Sequence, residues 1–178
     1  LQETFADKPL VGEVRGVGLM GAIEFVADKD KKVAFEPSMK VGARISKAAL
    51  DEGIIARGMP HGDILGFSPP LCVTKEEVDV IIERAEKAID TVADELSREG
   101  LLAAASDGSL WELWYTSVPS AETIDAYIAT ALKQQEKGDE YPFSVIDAQS
   151  GKIIGCTRFY GMQPQHKRLE IGYTWYAK

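Results

Sequence analysis

Aromatic side chains are segregated along this sequence, and that constrains the fold more than any other feature. All three Trp and all six Tyr lie beyond residue 110, and residues 1–110 contain neither. A single core draws large side chains from the whole chain, so this distribution predicts two modules with separate cores. The division falls within DELSREGLLAAASDGSLWELWYTS, residues 94–117, where Gly, Ser and other small residues predict a linker over 99–108.

Composition and charge limit the class of protein. The 178 residues are 45% hydrophobic, as in ordinary globular proteins. The net charge of −8 opposes binding to a nucleic-acid backbone, and no apolar run approaches the roughly 20 residues of a membrane span. We expect a cytoplasmic protein with no nucleic-acid or membrane partner. Cys72 and Cys156 are isolated, so no metal site is predicted.

Periodicity in residues 1–98 predicts a compact α/β unit. Residues 10–27 alternate like two short strands joined by a tight turn. Helical spacing follows from Val41 to Leu50, and Gly53 stands where a left-handed cap would end that helix. Thr74 and Glu77 have the spacing of a capping box at the start of a long amphipathic helix.

Residues 109–178 have a different pattern. SAETIDAYIATALKQQ has the spacing of an amphipathic helix, and PFSVID, IIGCTRF and RLEIGYTWY are typical of strands in an antiparallel meander. We therefore assign the chain to the α/β class in its broad sense (α+β), as two small modules. Residues 1–98 form the first, 99–108 the linker, and 109–178 the second.

Three glycines imitate a dinucleotide-binding fingerprint. Gly16, Gly18 and Gly21 form G-x-G-x-x-G, and Glu36 lies at a plausible distance for a ribose-binding acid. The fingerprint requires a helix after the glycines to hold the pyrophosphate, whereas GAIEFVA alternates like a strand. We interpret the motif as a hairpin.

Two segments agree closely in order and spacing with one known family. They are LVGEVRGVGLMGAIEF and KVGARISKAALDEGIIARGMPHGDILGFSPPLCVTKEEVDVIIERAEKAI. Over residues 1–98 the sequence closely resembles the C-terminal small domain of class III pyridoxal-phosphate-dependent aminotransferases, particularly the ω-amine:pyruvate type. This implies transfer of an amino group between an amine or amino acid and a 2-oxo acid such as pyruvate. It also implies that Arg57 binds the substrate carboxylate and swings aside for amines. Spacing alone would leave Arg57 a surface residue.

The resemblance also implies what a large domain would supply. That domain provides the family's Schiff-base lysine, the acid facing the pyridine nitrogen and the phosphate-binding groups, and it helps form a homodimer. Lys40 and Lys47 are interpreted as solvated side chains of a helix rather than substitutes. We expect that this chain alone does not bind pyridoxal phosphate.

Residues 109–178 resemble the N-terminal half of a GNAT acetyltransferase through LWYTSVPSAETIDAYIATALKQQ, PFSVIDAQSGKIIGCTRF and RLEIGYTWYAK. The resemblance implies that LEIGYTWY lines an acetyl-CoA cleft. The family's pyrophosphate-binding loop would follow Lys178, so acetyl-CoA is not expected to bind this chain alone. Glu170 is a candidate general base by rough position, and a surface carboxylate is the alternative. The aromatics of WELW and YTWY are candidates to flank a cleft, with core packing as the default.

Three classes of function follow. The leading prediction is a class III aminotransferase fragment fused to a truncated acetyltransferase, inactive alone. The alternative is a GNAT N-acetyltransferase that moves acetyl from acetyl-CoA to an amine once a missing half completes it. A non-enzymatic interaction module is the third, because truncated modules would expose apolar surface that attracts partners.

Overall fold

The computed structural model describes residues 1–108, 110–112 and 116–177. Its contacts divide the chain into two compact units, Leu1–Glu95 and Leu96–Lys178. The boundary between the units falls inside one long helix rather than in a loop.

The first unit is built on a four-stranded antiparallel sheet with strand order β1-β2-β4-β3. Its elements are α1 (Gln2–Phe5), β1 (Val11–Val17), β2 (Met20–Phe25), a 3-10 helix (Pro37–Met39), α2 (Val41–Asp51), β3 (Arg57–Gly58), β4 (Ile64–Phe67) and the start of α3 (Lys75–Ala105). Ile23 and Phe25 of β2 are buried and alternate with the partly exposed Ala22 and Glu24, as a half-buried strand requires, whereas Leu65, Gly66 and Phe67 of β4 are all buried.

The glycine motif forms a hairpin, as predicted. Gly16 pairs with Gly21 across β1 and β2, and Gly18 has a φ of +58° in the turn between them. A Cβ on Gly16 would lie 2.6 Å from the Met20 carbonyl oxygen, so this close approach of two strands needs glycine. No helix follows these glycines, because β2 occupies that position, and the dinucleotide-binding geometry is therefore absent from this segment.

The helix predicted over Val41–Leu50 is confirmed as α2. Gly53, with a φ of +83°, donates its backbone N–H to the Leu50 carbonyl at 2.9 Å and closes the helix end. The GIIAR segment, residues 53–57, forms little regular strand. Only Arg57 and Gly58 of that region pair with β4, although Ile54 and Ala56 still alternate as buried residues with exposed Ile55.

Helix α3 corrects the prediction of a linker over 99–108. It begins with the predicted capping box, in which Thr74 N–H donates to Glu77 at 2.8 Å and Glu77 N–H donates to the Thr74 hydroxyl at 3.2 Å. It then continues through Gly100 to Ala105. Leu101, Ala104 and Ala105 are buried at helical spacing, so burial of this stripe outweighs the weak helix propensity of Gly100.

The second unit contains the predicted helix and three-stranded antiparallel meander, together with the end of α3, which was not predicted. A 3-10 helix (Leu110–Glu112), α4 (Ile124–Glu136), β5 (Tyr141–Ile146), β6 (Ile153–Gln163), a 3-10 helix (Pro164–His166) and β7 (Arg168–Tyr176) follow in order. The strand order is β5-β6-β7. Its core contains Leu101, Ala104, Ala105, Ile124, Cys156 and Trp175.

Candidate functional site

Arg57 lies on the short edge strand β3 with its side chain exposed. It pairs with Gly66 of β4, which has no side chain beside the guanidinium, and the end of Met59 occupies the space above that glycine. Within the described part of the chain, the guanidinium of Arg57 has no hydrogen-bond or ion-pair partner. A free, fully charged fork of donors is suited to bidentate binding of a carboxylate.

The backbone under Arg57 is fixed on both sides. The Ser46 hydroxyl of α2 donates to the Ala56 carbonyl at 2.7 Å, and the Met59 N–H donates to the Ile64 carbonyl at 2.9 Å. Gly58 lies close to α2, since a Cβ there would be 3.5 Å from Ser46 Cβ. Arg57 therefore combines a hydrogen-bonded main chain on either side with an exposed side chain.

Neither lysine considered in the sequence lies in a site suited to a Schiff base. Lys47 pairs with Asp51 at 2.9 Å, and that hydrogen bond raises the pKa of Lys47. A Schiff-base lysine needs the opposite change, which burial among apolar groups produces. Lys40 is exposed at the start of α2. Every lysine within residues 1–108, 110–112 and 116–177 is at least partly exposed, so the described residues do not by themselves fit pyridoxal phosphate.

Glu170 lies on β7 in an exposed ion pair. Its carboxylate accepts a hydrogen bond from Arg168 at 2.6 Å, and its backbone pairs with that of Tyr160 on β6. Desolvation, together with the nearby Glu170 carboxylate, raises the pKa of Tyr160. The structure therefore places Glu170 beside one basic and one phenolic group.

Strand β7 carries a bulge between Gly172 and Trp175. Cys156 of β6 pairs with Trp175, yet Arg158 pairs with Gly172, so β7 contains one extra residue between these two pairs. Tyr173 lies there with a φ of +53°. A bulky side chain in this left-handed region costs about 1–3 kcal/mol, and such strain and such bulges are concentrated next to binding sites.

A buried arginine that the sequence analysis missed lies opposite the bulge. Arg158 is 5% exposed, and its guanidinium donates to Glu140 at 3.0 Å. Its Cζ atom lies 4.7 Å from the Tyr127 ring centroid and 4.9 Å from that of Tyr173. The signal was present in the sequence, because Arg158 is in phase with the inward-facing Cys156.

The pKa values of Arg158 and Tyr127 are both raised in the cluster formed by Arg158, Glu140, Tyr127 and Tyr173. Burial alone would lower the pKa of Arg158, but its neighbours Tyr127 and Glu140 outweigh burial and raise it. Burial, followed by the hydrogen bond to Cys156, raises the pKa of the Tyr127 hydroxyl. That hydroxyl lies 3.4 Å from Cys156 Sγ and accepts a hydrogen bond from the Trp175 indole at 3.4 Å. The cluster therefore favours a charged arginine beside a neutral tyrosine.

The aromatic residues proposed to flank a cleft divide into two groups. Trp175 is 3% exposed and packs in the core, whereas Tyr173 and Tyr176 are 43% and 49% exposed on β7. The two tryptophan side chains of WELW lie outside what the structure describes. Among the described residues, no group of His, Cys, Asp and Glu could hold a metal ion, and no helix is long and apolar enough to cross a membrane.

Comparison with known families divides the chain close to the boundary between the units. Residues 1–89, half of the chain, match the family model of class III aminotransferases. The chain belongs to the class III aminotransferase family. Residues 91–178 match the model of the acetyltransferase (GNAT) domain. Class III aminotransferases depend on pyridoxal phosphate, and GNAT enzymes use acetyl-CoA.

Relatives within the class III aminotransferases match somewhat more than half of this chain. An uncharacterized aminotransferase y4uB of Sinorhizobium fredii is 68% identical over 100 residues, which are 56% of this chain and 21% of that protein. The diaminobutyrate–2-oxoglutarate transaminase of Halomonas elongata is 56% identical over 59% of this chain and 22% of its own length. The chain thus spans about a fifth of the length of these relatives.

A solved structure agrees with this assignment. A transaminase from directed evolution by ancestral reconstruction is 67% identical, with a TM-score of 0.53, over 53% of this chain and 21% of its own. The first unit therefore has the fold of the matching part of class III aminotransferases.

Proposed function

We propose that residues 1–98 form the carboxylate-binding side of a class III aminotransferase that moves an amino group between an amine or amino acid and a 2-oxo acid. The observation that carries this proposal is the exposed guanidinium of Arg57 on a fixed strand, with no partner among the described residues. In this role Arg57 binds and orients the substrate carboxylate. Pyridoxal phosphate, when bound in the whole enzyme, supplies the electron sink for amino transfer.

A chimera tests this role. The matching segment of the Halomonas elongata transaminase would be replaced by residues 1–98, and Arg57→Gln introduced. Loss of a charge-assisted bidentate contact should raise the KM for 2-oxoglutarate roughly 10- to 100-fold. Arg15→Gln is the matched control, because Arg15 lies on the opposite edge of the same sheet and already pairs with Glu24 at 2.7 Å. An unchanged KM in Arg57→Gln, or an equal rise in both variants, would contradict the proposal.

We further propose that this chain alone is not a transaminase. Its lysines are all at least partly exposed in the described residues, whereas a Schiff-base lysine needs desolvation or a neighbouring cation to lower its pKa. Adding pyridoxal phosphate and then borohydride should give at most scattered labelling of surface lysines. A stoichiometric adduct at one lysine, located by peptide mass spectrometry, would refute this.

A second candidate function is acetyl transfer from acetyl-CoA to an amine by residues 109–178. Two observations favour it: the match of 91–178 to the GNAT domain model and the bulge at Tyr173 in the strand expected to line the cleft. Glu170 would be the general base of this candidate, and its pairing with Arg168 means that the base must be released from an ion pair before it accepts a proton. When residues 109–178 replace the matching part of a complete GNAT acetyltransferase, this candidate predicts that acetyl-CoA perturbs the amide signals of Gly172–Thr174.

A further inference from the structure

Tyr173 holds a backbone conformation that its own side chain disfavours. Its φ of +53° is one that asparagine and glycine adopt readily and tyrosine rarely does, and it lies within a strand rather than in a turn. Nothing in the local sequence, GYTWY, favours a left-handed residue at position 173 over position 172, where a glycine is present. Tertiary contacts must therefore fix the position of the bulge.

The ring of Tyr173 has two aromatic or cationic contacts. The Arg158 guanidinium carbon lies 4.9 Å from its centroid, and the Tyr160 ring packs edge-to-face with a centroid separation of 5.4 Å. Gly172 makes room for Tyr160, since a Cβ on Gly172 would lie 2.6 Å from Tyr160 Cε1. Glycine is therefore needed at 172 for space, and the extra residue of the bulge is the neighbouring tyrosine.

Arg158 is held by an ion pair with Glu140, but hydrogen bonds do not satisfy all of its donors. Glu140, 15% exposed in its side chain, pairs with its guanidinium at 3.0 Å, and the Tyr127 ring faces it at 4.7 Å. Its Nε atom is buried with no hydrogen-bond partner among the described residues. Hydrogen bonding alone therefore does not account for a buried cation here, and the two tyrosine ring faces supply the remaining stabilisation.

We infer that Arg158 is a positioning residue, which holds the Tyr173 ring by a cation–π contact and thereby keeps the β7 bulge in place. The Thr174 hydroxyl, 2.8 Å from the Thr157 hydroxyl and 3.4 Å from the Gly172 carbonyl, fixes the far side of the same bulge. The functional meaning of this inference rests on the acetyltransferase candidate, in which the bulge belongs to the acetyl-CoA cleft. Its conformational part does not depend on any ligand.

The first experiment needs no ligand. NMR backbone shifts and HN–Hα couplings report the conformation at position 173, and amide exchange reports how often the bulge opens. Arg158→Met removes the cation at similar length, and we expect position 173 to leave the left-handed region, with exchange at Gly172–Thr174 rising about tenfold. Glu140→Gln keeps Arg158 while weakening its anchor, so it should raise exchange by a smaller factor without unfolding the unit.

A double-mutant cycle separates positioning from general stability. Glycine adopts a positive φ without a ring contact, so in a Tyr173→Gly background Arg158→Met should leave the bulge in place and the exchange of Gly172 and Thr174 unchanged. If Arg158 only stabilised the core, Arg158→Met would increase amide exchange equally in the wild-type and Tyr173→Gly backgrounds. Retention of the left-handed conformation in Arg158→Met, or equal effects in both backgrounds, would overturn the inference.

Acetyl-CoA titration distinguishes the two failures when the same variants of residues 109–178 replace the matching part of a complete GNAT acetyltransferase. If the wild-type bulge signals shift with acetyl-CoA and those of Arg158→Met shift at least tenfold more weakly, both the inference and the acetyltransferase candidate are supported. If the bulge depends on Arg158 but no signal responds to millimolar acetyl-CoA, the acetyltransferase candidate fails while the positioning role holds. If acetyl-CoA binds Arg158→Met as well as the wild type, the functional part of the inference fails.

Discussion

The two arginines central to this protein show how environment sets the role of one residue type. Arg57 is exposed on an edge strand and has no partner among the described residues, so its charge is available to a ligand. Arg158 is 5% exposed and is held by Glu140 and two tyrosine rings, so its charge serves the protein itself. Replacing Arg57 should therefore change substrate binding with little effect on folding, whereas replacing Arg158 should change conformation.

Tyr127 gives a pH-dependent prediction at the same scale. Because burial and Cys156 raise its pKa above 10.0 in the folded state, the unfolded state loses this proton first as the pH rises. The contribution of Tyr127 to the free energy of unfolding is thus fully present below about pH 10 and is lost as the pH rises through the folded pKa. Urea unfolding followed by tryptophan fluorescence should show a steeper alkaline loss in the wild type than in Tyr127→Phe.

The exposed Tyr176 provides the control for this measurement. Tyr176→Phe should keep the wild-type dependence on pH, because it leaves the Tyr127 hydroxyl and its partners intact. If the free energy of unfolding fell equally with rising pH in the wild type and in Tyr127→Phe, Tyr127 would not be the source of the alkaline loss of stability.

At the scale of elements, the end of α3 matters most, because it replaces a predicted linker. Leu101 is 8% exposed and packs in the core of the second unit, so Leu101→Ala should lower the free energy of unfolding of that unit by about 2–4 kcal/mol. Leu132→Ala, at a site 51% exposed on α4, should change it by less than about 1 kcal/mol. Denaturant unfolding followed by tryptophan fluorescence measures both. If Leu101→Ala and Leu132→Ala lowered the free energy of unfolding by equally small amounts, residues 99–105 would behave as a linker.

Elements with strong local periodicity could be predicted from the sequence. The hairpin, α2, the capped start of α3 and the meander follow from alternation, helical spacing and capping residues that lie close together in the chain. The extension of α3 could not be predicted in this way, because Ser97 and Gly100 suggest a linker and only the burial of Leu101 and Ala104 outweighs them.

The same distinction between local sequence signals and tertiary contacts applies to the residues of the candidate site. Arg57 could be named as a candidate because the family resemblance spans its whole neighbourhood. The Arg158 cluster joins α4, β6 and β7 with the residue just before β5, so no short stretch of sequence contains it. The bulge at Tyr173 has no asparagine or glycine at its left-handed position to reveal it.

On the scale of the whole molecule, the central claim is that two modules from different families each fold around their own core. The family matches, at 1–89 and 91–178, and the contact units, divided at Glu95, agree to within a few residues. All three Trp lie in the second module, so tryptophan fluorescence reports on that module alone. A measurement that follows both modules separately is needed to test the claim.

Hydrogen exchange read by peptide mass spectrometry is the most direct such measurement, with Leu101→Ala as the perturbation and Leu132→Ala as the control. We expect Leu101→Ala to accelerate exchange in peptides from 96–177 while peptides from 1–70 keep their wild-type rates. Equal acceleration in both sets of peptides would mean that the chain is one cooperative unit, and would contradict the division into two modules.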